Sequence, residues 1–234
     1  MSAALPAMDA PVTSIAAAIT RMEAMAAALP ATDGLACFNR MYLDVTSQVD
    51  SQLGQGFFAD PAFMTELDVA FANLYFGAAD AAGDPASVPL AWRPLVERRA
   101  LPGIEPVQFA LAGMNAHINH DLPVAMVTAC TALATAPEAG SHFADYQKVD
   151  RLLDAAEQSV RQSFESGAEL SVDDHLSAVA TLIGNWTINS ARDMAWNNCL
   201  LLWAVRHDPV TRGLLLDSLA ASTAMASRLL LVAV

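Results

Sequence analysis

The segment Asn115-Ala116-His117-Ile118-Asn119-His120-Asp121-Leu122-Pro123 sets five side chains able to hold a proton or a metal inside an apolar stretch. At roughly 100° per residue, Val107, Leu111, Met114, Ile118 and Leu122 share one helical face. His117 and Asp121, four apart, then stand about 40° from each other at the margin of that face. An imidazole beside a carboxylate at the edge of a core suits acid–base work or metal binding. The plainer reading is a histidine that donates to its neighbour to satisfy a partly buried helix. Asn115 and Asn119 repeat the four-residue step on the other flank and are candidates for substrate binding. His120 falls about 180° from the apolar face and is expected outside.

Two further polar sets compete. In Ser141-His142-Phe143-Ala144-Asp145, His142 and Asp145 are three apart and face the same way, unless they simply mark an acid-favouring helix start. With His117 and Asp121 they make a four-residue set of the kind by which adjacent helices hold one divalent metal, here zinc, iron or manganese. The third set is Asn185, Asn189, Arg192, Asp193, Asn197 and Asn198, interleaved with Trp186, Trp196 and Trp203. Each such group costs roughly 1–3 kcal/mol if buried without a partner, so they bond to one another or meet a ligand. Arg192 suits an anionic substrate group, and Asn189 and Trp196 are expected beside it. The structural alternative ties Arg192 to Asp193 or to an acid on another helix.

The elements that must position these residues read as helices throughout. An alanine-rich helix over 12–29 ends at Pro30, and Asp33 caps a second one through Leu53. Asp60-Pro61 opens a third, carrying Phe63, Leu67, Ala70, Phe71, Leu74 and Ala78. A short helix covers 92–99, whose Glu97-Arg98-Arg99 end reads as solvated. Glu105-Pro106 opens the central helix, which Pro123 should kink or restart by removing one donor and crowding the preceding turn. After Pro137–Ser141, a helix buries Phe143, Tyr146, Leu153, Ala156, Val160 and Phe164. Ser171 is the expected cap of a long helix whose buried seam runs Leu182, Trp186, Asn189, Asp193, Trp196, Leu200 and Trp203. His207-Asp208-Pro209 stops it, and a last helix covers 211–234. With no hairpin signal, no sustained alternation and no fixed-period repeat, the expected architecture is all-α, about seven helices in one domain over 12–234 after a flexible leader over 1–11.

Composition narrows the partners. The 234 residues carry a formal charge of −13, with 54% hydrophobic and 16% charged side chains. Such an acidic chain lacks the basic clusters that nucleic acid or an anionic membrane requires. A small-molecule substrate is the expected partner, with no nucleic acid and no membrane insertion, and a homodimer is allowed. Cytoplasmic residence is the expectation in the absence of a basic-then-apolar leader. Cys37, Cys130 and Cys199 are distant and odd in number, and read as small buried residues.

The nine-residue segment, with Cys37-Phe38-Asn39-Arg40-Met41-Tyr42-Leu43 and Phe71-Ala72-Asn73-Leu74-Tyr75, resembles an uncharacterised actinobacterial domain-of-unknown-function family over about residues 33–206, a likeness that brings no activity. A remoter likeness is to the all-helical zinc-dependent phospholipase C and P1-nuclease class. There a His-x-x-x-Asp helix is followed by a second helix with a histidine and an acid; His117 and Asp121 match the first, and His142 with Asp145 approximates the second. That class also uses histidines nearer its amino terminus and an amino-terminal Trp, whereas this chain has no histidine before His117 and begins Met1-Ser2-Ala3. The inventory therefore leaves one metal or none.

Three functions follow as expectations. The first is a hydrolase-like or lyase-like enzyme of specialised metabolism, with His117, Asp121 and Arg192 catalytic and His117, Asp121, His142 and Asp145 as metal ligands. The second is a cofactor-free cyclase or isomerase of a hydrophobic natural product, with His117 as acid or base paired to Asp121. The third is a binding protein in which the polar sets are structural.

Overall fold

The computed structural model describes residues 10–153 and 187–233. Among them there is no strand; the chain runs α1 (Ile15–Ala28), α2 (Gly34–Leu53), α3 (Pro61–Asp80), a 3-10 turn (Ala81–Gly83), α4 (Arg93–Arg98), α5 (Pro106–Ala116), a π-helical turn (His117–Asp121), α6 (Leu122–Ala132), α7 (His142–Lys148), α8 (Ile188–Ala204) and α9 (Pro209–Leu230). The expected all-α, single-domain architecture is what forms.

The starts follow the capping chemistry. Asp33 accepts from Leu35 N–H at the head of α2, and Asp60 from Phe63 N–H at the head of α3, each satisfying a donor that the first helical turn leaves open. Asp208, followed by Pro209, does the same for α9. The rod of α5, the π turn and α6 is the centre of the molecule. α2 and α9 pack along α5, while α3 and α8 pack along α6. With every residue of α5 from Gln108 to Ala116 buried, periodicity shows only which face is greasiest. Gly113 is required there: a Cβ on it would lie 2.5 Å from the Phe38 ring, so its absence lets α2 seat Phe38 against α5.

Several expectations change. The helix carrying Arg192 begins at Ile188, with Thr187 Oγ1 accepting from Ser190 N–H as its cap. Ser171, Leu182, Asn185 and Trp186 lie outside the described residues. The buried side of α8 is Ile188, Ala191, Arg192, Ala195, Trp196, Cys199 and Leu202, so Asn189 and Asp193 are exposed rather than in the seam. The helix end Glu97-Arg98-Arg99 is not solvated throughout, because Arg99 is buried and its Nε bonds Asp33 Oδ2 at 2.9 Å. Arg98 reaches the Leu231 carbonyl, holding the end of α9. The three cysteines are buried and free, and among the described residues no helix is long and apolar enough to cross a membrane.

Candidate functional site

The central helix changes its winding where the chemistry sits. Pro123 has no N–H to offer the preceding turn, and its ring crowds that turn. Leu122 N–H instead donates to the His117 carbonyl five residues back, the π pattern. The expected restart is thus a wider turn spanning His117 to Asp121 and placed just ahead of the proline.

His117 is walled by aromatic rings. It lies flat on Phe71, with ring centroids 3.4 Å apart and planes 6° from parallel, while Tyr42 meets it edge-on at 4.5 Å. Phe38 and Trp92 complete the wall at 5.5 and 5.9 Å. Its Nδ1 is 3.0 Å from Asp121 Oδ2, which also accepts the Trp92 indole N–H at 2.8 Å. Asp121 Oδ1 takes His120 Nδ1 at 2.8 Å. The outward position expected for His120 is therefore corrected: its side chain is only 17% exposed and folds back onto Asp121.

Burial on its own would raise Asp121, yet hydrogen bonds from His117 and His120 outweigh it and hold the carboxyl below its usual range. Burial also depresses His117 below its ordinary 6.5, against the opposing pull of Asp121. A neutral imidazole beside an ionised carboxylate must carry its proton on Nδ1, since the carboxylate can only accept. Nε2 keeps a free lone pair, and it is buried with no hydrogen-bond partner.

His117 borders a cavity of about 80 Å³ lined by residues of α2, α3, the central rod and the Tyr146–Arg192 region. Its walls are almost entirely apolar, with Met41, Met64, Phe71 and Met114 among them, interrupted by Tyr42, Asp68, His117 and Arg192. Tyr42 Oη and Asp68 Oδ2 are, like His117 Nε2, buried without a partner. Tyr42 Oη comes near Thr46, but neither hydroxyl makes a hydrogen bond of acceptable geometry. Burial, helped by the charge of Asp50, raises the Asp68 carboxyl from 3.8 to about 7.

The other candidates have structural partners. Asn115 Nδ2 donates to the Thr223 carbonyl and to Ser227 Oγ, each at 2.9 Å, and Asn119 donates to Asn115 Oδ1, so the pair fastens the central rod to α9. Arg192 does line the cavity, but its Nε bonds Asp150, its Nη2 donates to the Tyr146 carbonyl at 2.6 Å, and its guanidinium lies 4.0 Å over the Tyr146 ring. Its charge is thus met by Asp150 rather than by Asp193. Trp196 is buried against Tyr146 and Phe143, away from the cavity walls.

His142 and Asp145 serve the head of α3. Asp145 accepts the backbone N–H groups of Ala59 and Asp60 at 2.9 and 2.7 Å, together with Ser141 Oγ and Lys148 Nζ, which hold its carboxyl below the usual range against its burial. His142 stacks on Phe63 at 3.9 Å, with Nδ1 toward the Ala136 carbonyl and Nε2 toward Asp60. The four expected ligands are therefore not brought together, and among the described residues no three His, Cys, Asp or Glu side chains gather as a metal site would need.

Sequence reasoning missed Tyr42, Asp68, Phe71 and Trp92 as parts of the site. Tyr42 and Phe71 sit in ordinary apolar periodicity. Asp68 had a signal: it lies four residues after Met64 and three before Phe71, an acid on a buried face.

A family model described as a family of unknown function, DUF5995, matches residues 15–233, and the chain belongs to that family. No curated protein and no solved structure matches the chain.

Proposed function

We propose that the protein is an acid–base enzyme for a small, largely apolar molecule, of the isomerase or cyclase kind, with His117 Nε2 as the proton-accepting atom. The observation that carries this reading is the buried, unpartnered Nε2 beside an apolar cavity, with Nδ1 bonded to Asp121. Asp121 holds the imidazole in one tautomer and compensates the charge that appears when Nε2 takes a proton. His117 and His120 keep Asp121 ionised, and the Trp92 indole N–H helps to orient it. An aromatic and methionine lining suits an apolar substrate body and keeps water from competing for the proton.

The metal-dependent reading has less behind it. A histidine whose Nδ1 bonds a carboxylate is also the usual form of a metal ligand. His142 and Asp145 are committed to α3, however, and Asp121 already accepts from three donors.

Alkylation tests the preferred reading. Phenacyl bromide, apolar and uncharged, should label Nε2 of His117 ahead of exposed His207, whereas bromoacetate should label His207 first. Peptide mass spectrometry reads the order. Labelling of His117 last by both reagents would show that the cavity does not admit a molecule to Nε2.

A further inference from the structure

Six buried side-chain polar atoms among the described residues have no hydrogen-bond partner, and three of them, Tyr42 Oη, Asp68 Oδ2 and His117 Nε2, belong to residues that line one cavity. Left empty, each would cost roughly 1–3 kcal/mol, so together they describe the polar part of whatever fills the space.

The pattern has a direction. His117 Nε2 is an acceptor, because Nδ1 carries the proton that Asp121 receives. An Asp68 carboxyl in its acid form is a donor, and a phenol is either. A fitting ligand therefore offers one hydrogen to His117 and one acceptor to Asp68, on a body otherwise apolar. Net charge on it would be poorly tolerated: among the described residues the one cation in the wall, Arg192, is already paired with Asp150.

We infer that the cavity takes an uncharged, mostly apolar carbonyl compound with an acidic adjacent C–H, and that Asp68 is the proton donor to its oxygen while His117 is the base at its carbon. This rests on the reading of His117 given above and adds to it a second catalytic residue and a substrate class. The step balances without a co-reactant. His117 Nε2 takes the proton from the carbon next to the carbonyl; the C–H pair becomes a C=C bond; the C=O π pair moves to oxygen, which takes the Asp68 proton. The product is the enol, with an imidazolium paired to Asp121 and an ionised Asp68. Return of the proton from Nε2 to the same carbon, with Asp68 recovering its own from the enol oxygen, exchanges the hydrogen. Where the substrate carries a C=C bond one carbon further along, the intermediate is a dienol, and return of the proton to the far carbon of that bond moves the double bond into conjugation and completes an isomerisation. A carboxyl raised to about 7 still holds its proton in a good fraction of molecules near neutral pH, as a donor in this role requires.

The test is hydrogen–deuterium exchange at carbon, read by NMR in deuterated buffer with cyclohexanone, 2-tetralone and decan-2-one as probes. The wild-type protein should accelerate exchange of at least one ketone, His117→Gln should abolish the acceleration, and Asp68→Asn should lower it by roughly a hundredfold. In the wild type the rate should fall as pH rises through about 7, an arm absent in Asp68→Asn and restored in Asp68→Glu. No acceleration for any of the three overturns the inference. Acceleration that needs His117 but is unchanged in Asp68→Asn overturns the role of Asp68 and leaves the base reading standing. Loss of that reading shows instead as exchange unaffected by His117→Gln. Decanoate competing as well as decan-2-one at about pH 8 would overturn the uncharged class. Circular dichroism of each variant separates a lost step from a lost fold.

Discussion

Asp68→Asn should stabilise the protein, and by an amount that depends on pH. A carboxyl held at about 7 in the folded chain and near 3.8 when unfolded is folded preferentially in its acid form. The sign follows directly: the favourable contribution is complete below the unfolded value and is lost progressively as pH rises through the folded one. At one pH unit per about 1.4 kcal/mol, the full loss has a ceiling of about 4 kcal/mol. Asp68 is partly exposed, and solvent relaxes part of that charge, so about 1–3 kcal/mol is the expected size. Asparagine keeps the shape and never ionises. Wild type and variant should therefore unfold at nearly the same urea concentration around pH 3.5, below the unfolded value, and separate by about 1–3 kcal/mol around pH 8, the variant being the more stable. Depressed His117 works in the opposite direction, its contribution being present above 6.5 and lost as pH falls through its folded value. That contribution is common to both proteins and cancels in the difference. An Asp68→Asn protein equal to or weaker than wild type at pH 8, or a difference that does not vary with pH, would refute the burial argument and with it the supply of an acid at neutral pH.

Two further outcomes follow from the packing and the ligand inventory. Gly113→Ala should cost about 1–3 kcal/mol in urea unfolding, because the new methyl meets backbone-anchored ring atoms of Phe38 at 2.5 Å; an unchanged midpoint would mean that α2 and α5 part freely. Zinc or manganese added to the purified protein should leave the melting temperature unchanged; a rise that disappears in His117→Gln would revive the metal-dependent reading.

The fold was legible because helices announce themselves locally. Asp33, Asp60-Pro61 and Asp208-Pro209 are start signals whose physics needs nothing beyond the first turn, and each is seen capping its helix. The pair His117 and Asp121 was legible for the same reason, since four residues along a helix bring side chains together whatever surrounds them. What was not legible depended on partners far along the chain. The bond from Trp92 to Asp121 spans 29 residues and those from Ala59 and Asp60 to Asp145 span 86 and 85. Nothing in Ser141–Asp145 foretells that its carboxylate will serve the head of α3 rather than a metal. Glu97-Arg98-Arg99 shows the same limit: a charged helix end looks solvated until Asp33 and the tail of α9 are placed against it.

His120 failed for a different reason, and the failure bears on function. Counting faces at 100° per residue presumes α winding, but the chain from His117 to Asp121 is a π turn, which rotates less at each step. The local rules are broken here several times within a few residues: a proline inside a helix, a buried carboxylate, a buried imidazole and an open Nε2. A leucine-like pair in place of His117 and Asp121 would fill the same space with no polar atom to satisfy, and burying charge is seldom the cheaper way to hold a core. Departures of this kind, concentrated in a core otherwise as regular as α5, are expected where a sequence serves something besides stability. The cavity against His117 gives that departure an object, and the same imidazole is where it touches the cavity. His117 should accordingly tolerate apolar replacement in unfolding experiments better than in the exchange assay, and that ordering is what a purely structural histidine would not produce.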